Sequence, residues 1–572
     1  MIILGACTPE CFIEKTMETR QDDNCWYEKL IRWIHNGGGY VHPHLNYFQQ
    51  DTSYRGIIAK DDKICKGECL IRLPKSLILC GDSFPSTYTT NTNNETQKNA
   101  SPWLRCLASY WEQVHTSKKD KETTFAPYIE SLPANYSESL LYWSSEDLSQ
   151  YLKGTTLGDI CQSDRTSKTT QTHWNLNVRP YLLHLGYLSS KEERNNIDGE
   201  YSKFLQACAC ISTRGFHKAT NQNHSDNEKY SGPYLLPYMD LLNHCSKKEA
   251  STSLRVDENN GDFYMQAERD IEKGDEICHC YQDDDTTTSS QWLQTFGFIP
   301  MSSIQQQQHE DTHTSYNSNK TCATVSQDMI IKSCEFIANS QLPIKLKKII
   351  HENNQLCQES NEEYEDENED EDEDEVWELE YLNSLSSKEM SKITKRDLST
   401  IIGQDVIIPH HIDTNEKYPF PKELITSVVI PFLPQDIFMD WIQESALLDE
   451  SIFEDYYLGN LALSAIHHLL EIKISQYYDE KLNSSYQNAL QKIQNERLIL
   501  RNNTCTSIKQ GNDNKKYVYG LTIRLEEQES LLSLKRHCLK LQQTLFHDEG
   551  DANIAQDLIE NQVVTRKRPH PS

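Results

Sequence analysis

A chain of 572 residues has room for two domains of ordinary size plus loops. Its formal charge of -30 disfavours general nucleic-acid binding, which needs clustered Lys and Arg to displace phosphate counterions, and favours a basic protein partner. A hydrophobic content of 37% and a mean hydropathy of -0.70 lie on the polar side for a globular protein and point to solvated insertions.

Twelve negative charges fall between Glu362 and Glu375 with no Lys or Arg among them, which leaves -18 on the other residues. That acidic run reads as a solvated loop, or as a dock for a basic tail. The eighteen cysteines are scattered rather than framed as in a short secreted protein. Met1-Ile-Ile-Leu-Gly-Ala-Cys7 is too short for a signal peptide, and no apolar run reaches eighteen residues. The expectation is a soluble intracellular monomer, cytoplasmic and/or nuclear, with reduced thiols and no membrane or direct nucleic-acid partner.

In chain order, Tyr27, Leu30, Ile31 and Ile34 repeat at helical spacing, and Gly37-Gly38-Gly39 ends that helix. Ser53-Tyr-Arg55-Gly56-Ile-Ile-Ala59 leads through Lys60-Asp-Asp-Lys63 to Gly67–Leu79, read as a hairpin. Residues 82–101 and 155–173 are polar and aperiodic. Between them Trp103, Leu104, Leu107, Ala108, Tyr110 and Trp111 make an apolar helix face, and a second helix, Tyr201–Ile211, delivers Ser212-Thr-Arg214-Gly-Phe216.

From Tyr234 to Ile299 three short words carry the chemistry. Asp240-Leu-Leu-Asn243-His244 follows an apolar run, so a polar pair surfaces at the end of a buried segment. Asp262–Ala267 alternates as a half-buried strand, and Ile271-Glu-Lys-Gly274-Asp reads as a tight turn feeding the strand Glu276–Tyr281. Phe296-Gly297-Phe298 closes the stretch. Beyond Pro300 lies a polar linker, 301–327, and then helical sequence from 328 to 546, interrupted by the acidic loop 353–376. Leu458, Leu461, Ala462, Ala465, Leu469 and Ile472 repeat at helical spacing there. The tail, 547–572, ends in the basic cluster Arg566-Lys-Arg568.

These words, in this order and spacing, resemble the SET domain, the methyltransferase fold that binds S-adenosylmethionine, and within it the branch typified by the Rubisco large-subunit lysine methyltransferase. The resemblance implies an α+β fold: a SET domain of short β-sheets with pseudoknot-like closure over about 25–300, interrupted by a helical insertion at about 100–210, then an all-α substrate-binding domain. It implies S-adenosylmethionine as cofactor, no metal, and a protein substrate. Carried over residue by residue, it makes Tyr281 the catalytic tyrosine. Ser53, Arg55, Arg214, Asn243, His244 and Phe298 contact the cofactor, and Asp240 and Phe296 belong to the substrate pocket. Asp240 there anchors the loop or pairs with Arg214.

The residue types suit those roles. Gly56 lets backbone approach a ligand closely. The planar fork of Arg214 pairs bidentately with a carboxylate. Asn243 offers a donor and an acceptor to an adenine edge. Three positions depart from the branch: Ser53 stands where an acidic residue is common, Thr213 replaces a serine, and Phe296 replaces a tyrosine, which leaves the number of methyl groups open. The resulting expectation is a protein-lysine N-methyltransferase; a protein-histidine methyltransferase of the same branch and a non-catalytic adaptor for basic proteins are the alternatives.

Overall fold

In the computed structural model, Cys25–Asn36 is helical, and Tyr27, Leu30 and Ile34 are buried at 5%, 0% and 0% exposure, each contributing about 1.5–3 kcal/mol by leaving water. The structure describes residues 25–49, 55–81, 100–116, 125–167, 169–188, 197–219, 230–257, 259–283, 286–306, 321–340, 342–346, 348, 406–409, 420–432, 450–453, 456–477, 492–500 and 512–545. Ser53, the acidic run and the basic tail lie outside the described residues. The chain divides into two compact units, Met1–Ser137 with Thr170–Gln282, and Glu138–Thr169 with Asp283–Ser572.

The first unit is built on an eight-stranded sheet. Its strands are β1 (Tyr40–Val41), β2 (Leu45–Gln49), β3 (Arg55–Ala59), β4 (Cys69–Leu73), β8 (Asn243–His244), β9 (Thr252–Val256), β10 (Phe263–Ala267) and β11 (Glu276–His279), in the order β1-β4-β10-β9-β11-β3-β2, with β8 also paired to β11. A three-stranded sheet joins β5 (Leu79–Cys80), β7 (Tyr230–Leu235) and β6 (Gly215–Ala219). Alternation explains the membership: β10 reads buried at Phe263, Met265 and Ala267 and half-buried between them.

One sequence expectation is corrected here. β3 does not pair with the Gly67–Leu79 segment as a hairpin. It pairs with β2, from Leu45↔Ala59 to Gln49↔Arg55, and with β11, whereas β4 pairs with β1 and β10. The connection is pulled away from a tight turn: Ile64 bridges Ile271 through both backbone bonds, 3.0 and 2.9 Å, and the Gly67 N–H donates to the Ala267 carbonyl at 2.8 Å. The reverse turn before β11 forms as read, with Gly274 at φ +89°, a region costly for any residue with a Cβ.

The helix Ile197–Arg214 extends the predicted Tyr201–Ile211 at both ends and delivers Arg214 at its last residue. The helix Pro102–Trp111 starts where the Ser101 hydroxyl accepts from the Leu104 N–H, and it buries Leu107, Ala108, Tyr110 and Trp111.

The second unit is helical around a two-stranded pair, β12 (Thr321–Val325) and β13 (Val406–Pro409). Its core helix, Tyr456–Gln476, buries Leu461, Ala462, Ala465 and Leu469 completely, as the spacing predicts. The 34-residue helix Asn512–Leu545 binds distant segments through adjacent carboxylates. Glu526 Oε2 accepts from the Ser289 N–H at 2.8 Å, at the first turn of the helix Ser289–Phe296. Glu527 accepts from the Thr156 N–H at 2.9 and 3.1 Å, at the start of the helix Thr156–Ser167, and from the Tyr477 hydroxyl at 2.8 Å. Both caps answer orphan donors at helix N-termini, and burial pushes the Glu527 carboxyl up to about 8. Among the described residues no helix is long and apolar enough to cross a membrane.

Candidate active site

The parallel pairing of β8 with β11, Cys278↔Asn243 and His279↔His244, brings together words thirty-five residues apart in sequence. Asn243 is used as a brace. Its Nδ2 donates to the Arg55 carbonyl at 2.8 Å and to Glu276 Oε1 at 2.7 Å, so three strands meet on one amide. Gly56 lies against this junction: a Cβ there would stand 2.8 Å from Asn243 Nδ2 and 2.8 Å from Glu276 Oε1. The glycine is therefore required by close approach rather than by a turn.

Tyr281 follows β11 by two residues instead of closing it. Its hydroxyl donates to the Leu242 carbonyl at 2.6 Å, and its N–H donates to His244 Nδ1 at 3.2 Å. The His244 and His279 rings stand 5.4 and 4.9 Å from the Tyr281 ring. Burial pushes the phenol well above its ordinary value, so it keeps its proton at neutral pH and its oxygen can accept from an incoming N–H. His279 stacks on Phe216 at 5.5 Å and 17°, and burial holds its pKa down at about 4. It is a neutral ring at physiological pH.

Beside these sits a buried charge cluster. Arg214 Nη1 donates to the Asp240 carbonyl at 2.8 Å and lies 3.5 Å from Asp240 Oδ2, which also accepts from the Tyr128 hydroxyl at 3.0 Å. Arg55 Nη1 donates to the Ser131 carbonyl at 3.1 Å. Burial pushes the Asp240 carboxyl up, against the pull of Arg214 and Tyr128. Burial opposes the Arg214 charge most strongly of any single cause, but Asp240, Tyr136, Cys210 and Tyr128 together outweigh it and leave the guanidinium above its ordinary value. Arg55 is lowered by burial and by the nearby charge of Arg214. Asp240 thus pairs with Arg214 and lies within electrostatic reach of Arg55, and, among the described residues, Arg55 Nη2, Arg214 Nε and Asp240 Oδ1 are buried without a hydrogen-bond partner. The two arginine nitrogens are donors that an anion would satisfy, whereas Asp240 Oδ1 calls for a donor.

The structure brings Arg55, Arg214, Asp240, Asn243, His244 and Tyr281 together in the first unit. Phe296 and Phe298 belong to the second unit, where their rings stand 5.0 and 5.7 Å from Trp292. Sequence reasoning missed Tyr128, which holds Asp240, and Glu276, which shares Asn243. It also missed Tyr238, a non-glycine at φ +70° whose hydroxyl meets that of Tyr27 at 2.6 Å just ahead of Asp240. None carries a sequence signal beyond its neighbourhood, because each acts through partners more than thirty residues away.

Residues 54–282 match the family model of the SET domain. Its relatives include the N-lysine methyltransferase setd6 of Xenopus laevis, 22% identical over 227 residues that cover 39% of this chain and 47% of that protein, and SETD6 of Mus musculus, 21% identical over 254 residues covering 44% and 50%. The chain thus spans about half the length of the curated relatives it matches. Among solved structures, the SET domain of LSMT bound to lysine and AdoHcy aligns with a TM-score of 0.53 at 14% identity, covering 96% of this chain and 99% of that one. Rubisco LSMT bound to AdoMet aligns at 0.51 and 13% identity, covering 96% and 97%. At such identity the likeness is one of fold.

Proposed function

We propose that this chain is an S-adenosylmethionine-dependent protein-lysine N-methyltransferase. The observation that carries the reading is the buried pair Arg55 and Arg214 with a single carboxylate, Asp240, between them and donors to spare, next to the glycine-permitted brace of Asn243. A sulfonium cofactor of this kind brings a carboxylate at its amino-acid end and an adenine at the other, and when bound it supplies the methyl group. The unpartnered Arg55 Nη2 and Arg214 Nε suit the carboxylate, and Tyr128 and Asp240 hold the Arg214 fork at its angle. Asn243 fixes the backbone at Arg55 and Gly56, so that main-chain groups can line the cofactor without a side chain intervening.

Methyl transfer to an amine is an in-line displacement that needs a neutral nitrogen, whereas a free lysine titrates near 10.4. Burial of the kind that keeps Tyr281 and His279 uncharged also favours an uncharged amine. The Tyr281 oxygen, anchored by its own donation to Leu242, accepts an N–H of the amine and turns its lone pair toward the methyl. The acidic balance of the chain suits a substrate with a basic segment.

Transfer of tritium from labelled S-adenosylmethionine into a lysate of cells lacking the protein, with wild type and Tyr281→Phe, tests the reading alongside calorimetric cofactor binding. Label in one or a few lysine-containing bands, lost in the variant while binding persists, is the expected result. Label on histidine supports the imidazole alternative, binding without transfer supports an adaptor, and no binding refutes the assignment.

A further inference from the structure

The hydroxyl of Tyr281 is anchored on a carbonyl, and that carbonyl hangs from a turn in a rare conformation. Tyr238 has φ +70° and ψ -41°, and among the described residues it is the one non-glycine at positive φ. For a bulky side chain that region is an outlier, and it persists where the surroundings over-determine it. Glycine adopts it freely, so a tyrosine here is explained by what its ring and hydroxyl reach. The Tyr238 side chain is fully buried, its hydroxyl meets that of Tyr27 at 2.6 Å, and the two rings stand 5.7 Å apart at 35°. The Tyr27 hydroxyl also reaches the Leu45 carbonyl, at 3.5 Å, and its ring packs on Tyr47 of β2 at 5.6 Å. A buried column of three tyrosines therefore joins the first helix, β2 and the turn.

Directly after Tyr238 the chain makes a single tight helical turn, Met239–Leu241. The Asp240 N–H donates to the Leu236 carbonyl at 3.2 Å, the Leu241 N–H to the Tyr238 carbonyl at 3.1 Å, and the Leu242 N–H to the Met239 carbonyl at 3.2 Å. The stretch so placed delivers Asp240, the Leu242 carbonyl that accepts from the Tyr281 hydroxyl at 2.6 Å, and Asn243. Asp240 is also gripped from other elements, by Tyr128 and Arg214, and Asn243 by Arg55 and Glu276. The Leu242 carbonyl takes its aim from the turn, and the Tyr281 hydroxyl takes its aim from that carbonyl.

We propose that Tyr238, clamped through its hydroxyl by Tyr27, is a positioning residue for methyl transfer: the pair holds the turn at positive φ so that the Leu242 carbonyl sets the Tyr281 hydroxyl. Without the clamp the turn relaxes, the phenol loses its fixed donation to Leu242, and its lone pair no longer meets the incoming amine at one angle. The carboxylate end of the cofactor site keeps its shape, because Tyr128 and Arg214 hold Asp240 independently. The effect on rate rests on the methyltransferase reading, whereas the effect on the setting of Tyr281 does not.

The experiment takes the full chain as wild type, Tyr27→Phe, Tyr238→Phe and the double variant, at a temperature where all are folded. It measures the initial rate of label transfer from saturating tritiated S-adenosylmethionine into a lysate of cells lacking the protein, cofactor affinity by calorimetry, and unfolding temperature. In a parallel set, 3-fluorotyrosine in place of Tyr281 reports the setting of that ring by its fluorine resonance. Each single variant leaves one buried hydroxyl without its partner, so melting falls; the double variant leaves an apolar contact of the same shape, so melting recovers. Expected in all three are a rate lowered about fivefold or more, the worth of about one neutral hydrogen bond, an affinity within about twofold of wild type, and a displaced fluorine resonance. Recovery of the rate together with melting in the double variant would mean that the hydroxyls act through stability alone, and would overturn the proposal. So would an unchanged rate, an unmoved resonance, or affinity lost in step with rate. If wild type transfers no label, the methyltransferase reading fails, and the fluorine resonance still decides whether Tyr27 and Tyr238 position Tyr281.

Discussion

Replacing Gly56 with alanine inserts one methyl group at the point where three strands share the Asn243 amide. The new Cβ would lie 2.8 Å from Asn243 Nδ2, 2.8 Å from Glu276 Oε1 and 3.0 Å from Phe48 Cε1, all shorter than a carbon tolerates, so something must shift. If Asn243 moves, it gives up its 2.8 Å bond to the Arg55 carbonyl and its 2.7 Å bond to Glu276, at roughly 1 kcal/mol for the neutral bond and about 1.5–3 for the charged one. If β3 moves instead, overpacking costs about 1–3 kcal/mol. Between them the routes span about 1–4 kcal/mol and lower the unfolding temperature of the first unit by roughly 2–16 °C, since about 2–4 °C accompanies each kcal/mol in a domain of this size. Differential scanning calorimetry reads that shift. Titration of S-adenosylmethionine at a temperature where the variant remains folded should show affinity reduced by more than tenfold. A Gly56→Ala protein with unchanged melting and unchanged affinity would refute the claim that the glycine is needed for close approach.

Arg214→Lys keeps the charge but loses the fork, so cofactor affinity should fall about 10- to 100-fold, the worth of a charge-assisted hydrogen bond, at a temperature where the variant remains folded; calorimetric titration measures it. His279 is held neutral, with a folded pKa of about 4 against an ordinary 6.5. The unfolded chain therefore takes up a proton that the folded one refuses, and stability is lost as pH falls from 6.5 toward 4, by about 2 kcal/mol at pH 5. His279→Phe should remove that part of the slope, which urea unfolding at pH 7 and pH 5 resolves.

Much of the first unit is legible before any coordinates, because its helices and strands announce themselves by period. Tyr27, Leu30 and Ile34 mark one helix, and Phe263, Met265 and Ala267 mark one strand. Strand partners are not legible in the same way. Leu45–Gln49 alternates as a strand, yet nothing local says that it, rather than Gly67–Leu79, pairs with Arg55–Ala59; that choice is made by the Ile64–Ile271 bridge, more than two hundred residues apart. At the site, Asn243, His244, Arg214 and Tyr281 sit in words with recognisable neighbours. Tyr128 and Glu276 matter only through where their side chains reach, and a single sequence does not record reach.

Glu527 and the helix it caps are separated by 371 residues. At a ribosomal rate of about 5–20 residues per second, roughly 20–75 s pass between the emergence of Thr156 and that of the carboxylate its N–H will meet. Throughout that interval the segment from Glu138 to Thr169 is a nascent orphan, with Leu148, Leu152 and Leu157 awaiting a core that arrives from the other end of the chain. A ribosome stalled or truncated before Glu526 would therefore leave this early segment adhesive, a client for chaperones, however well the strands on either side of it had closed.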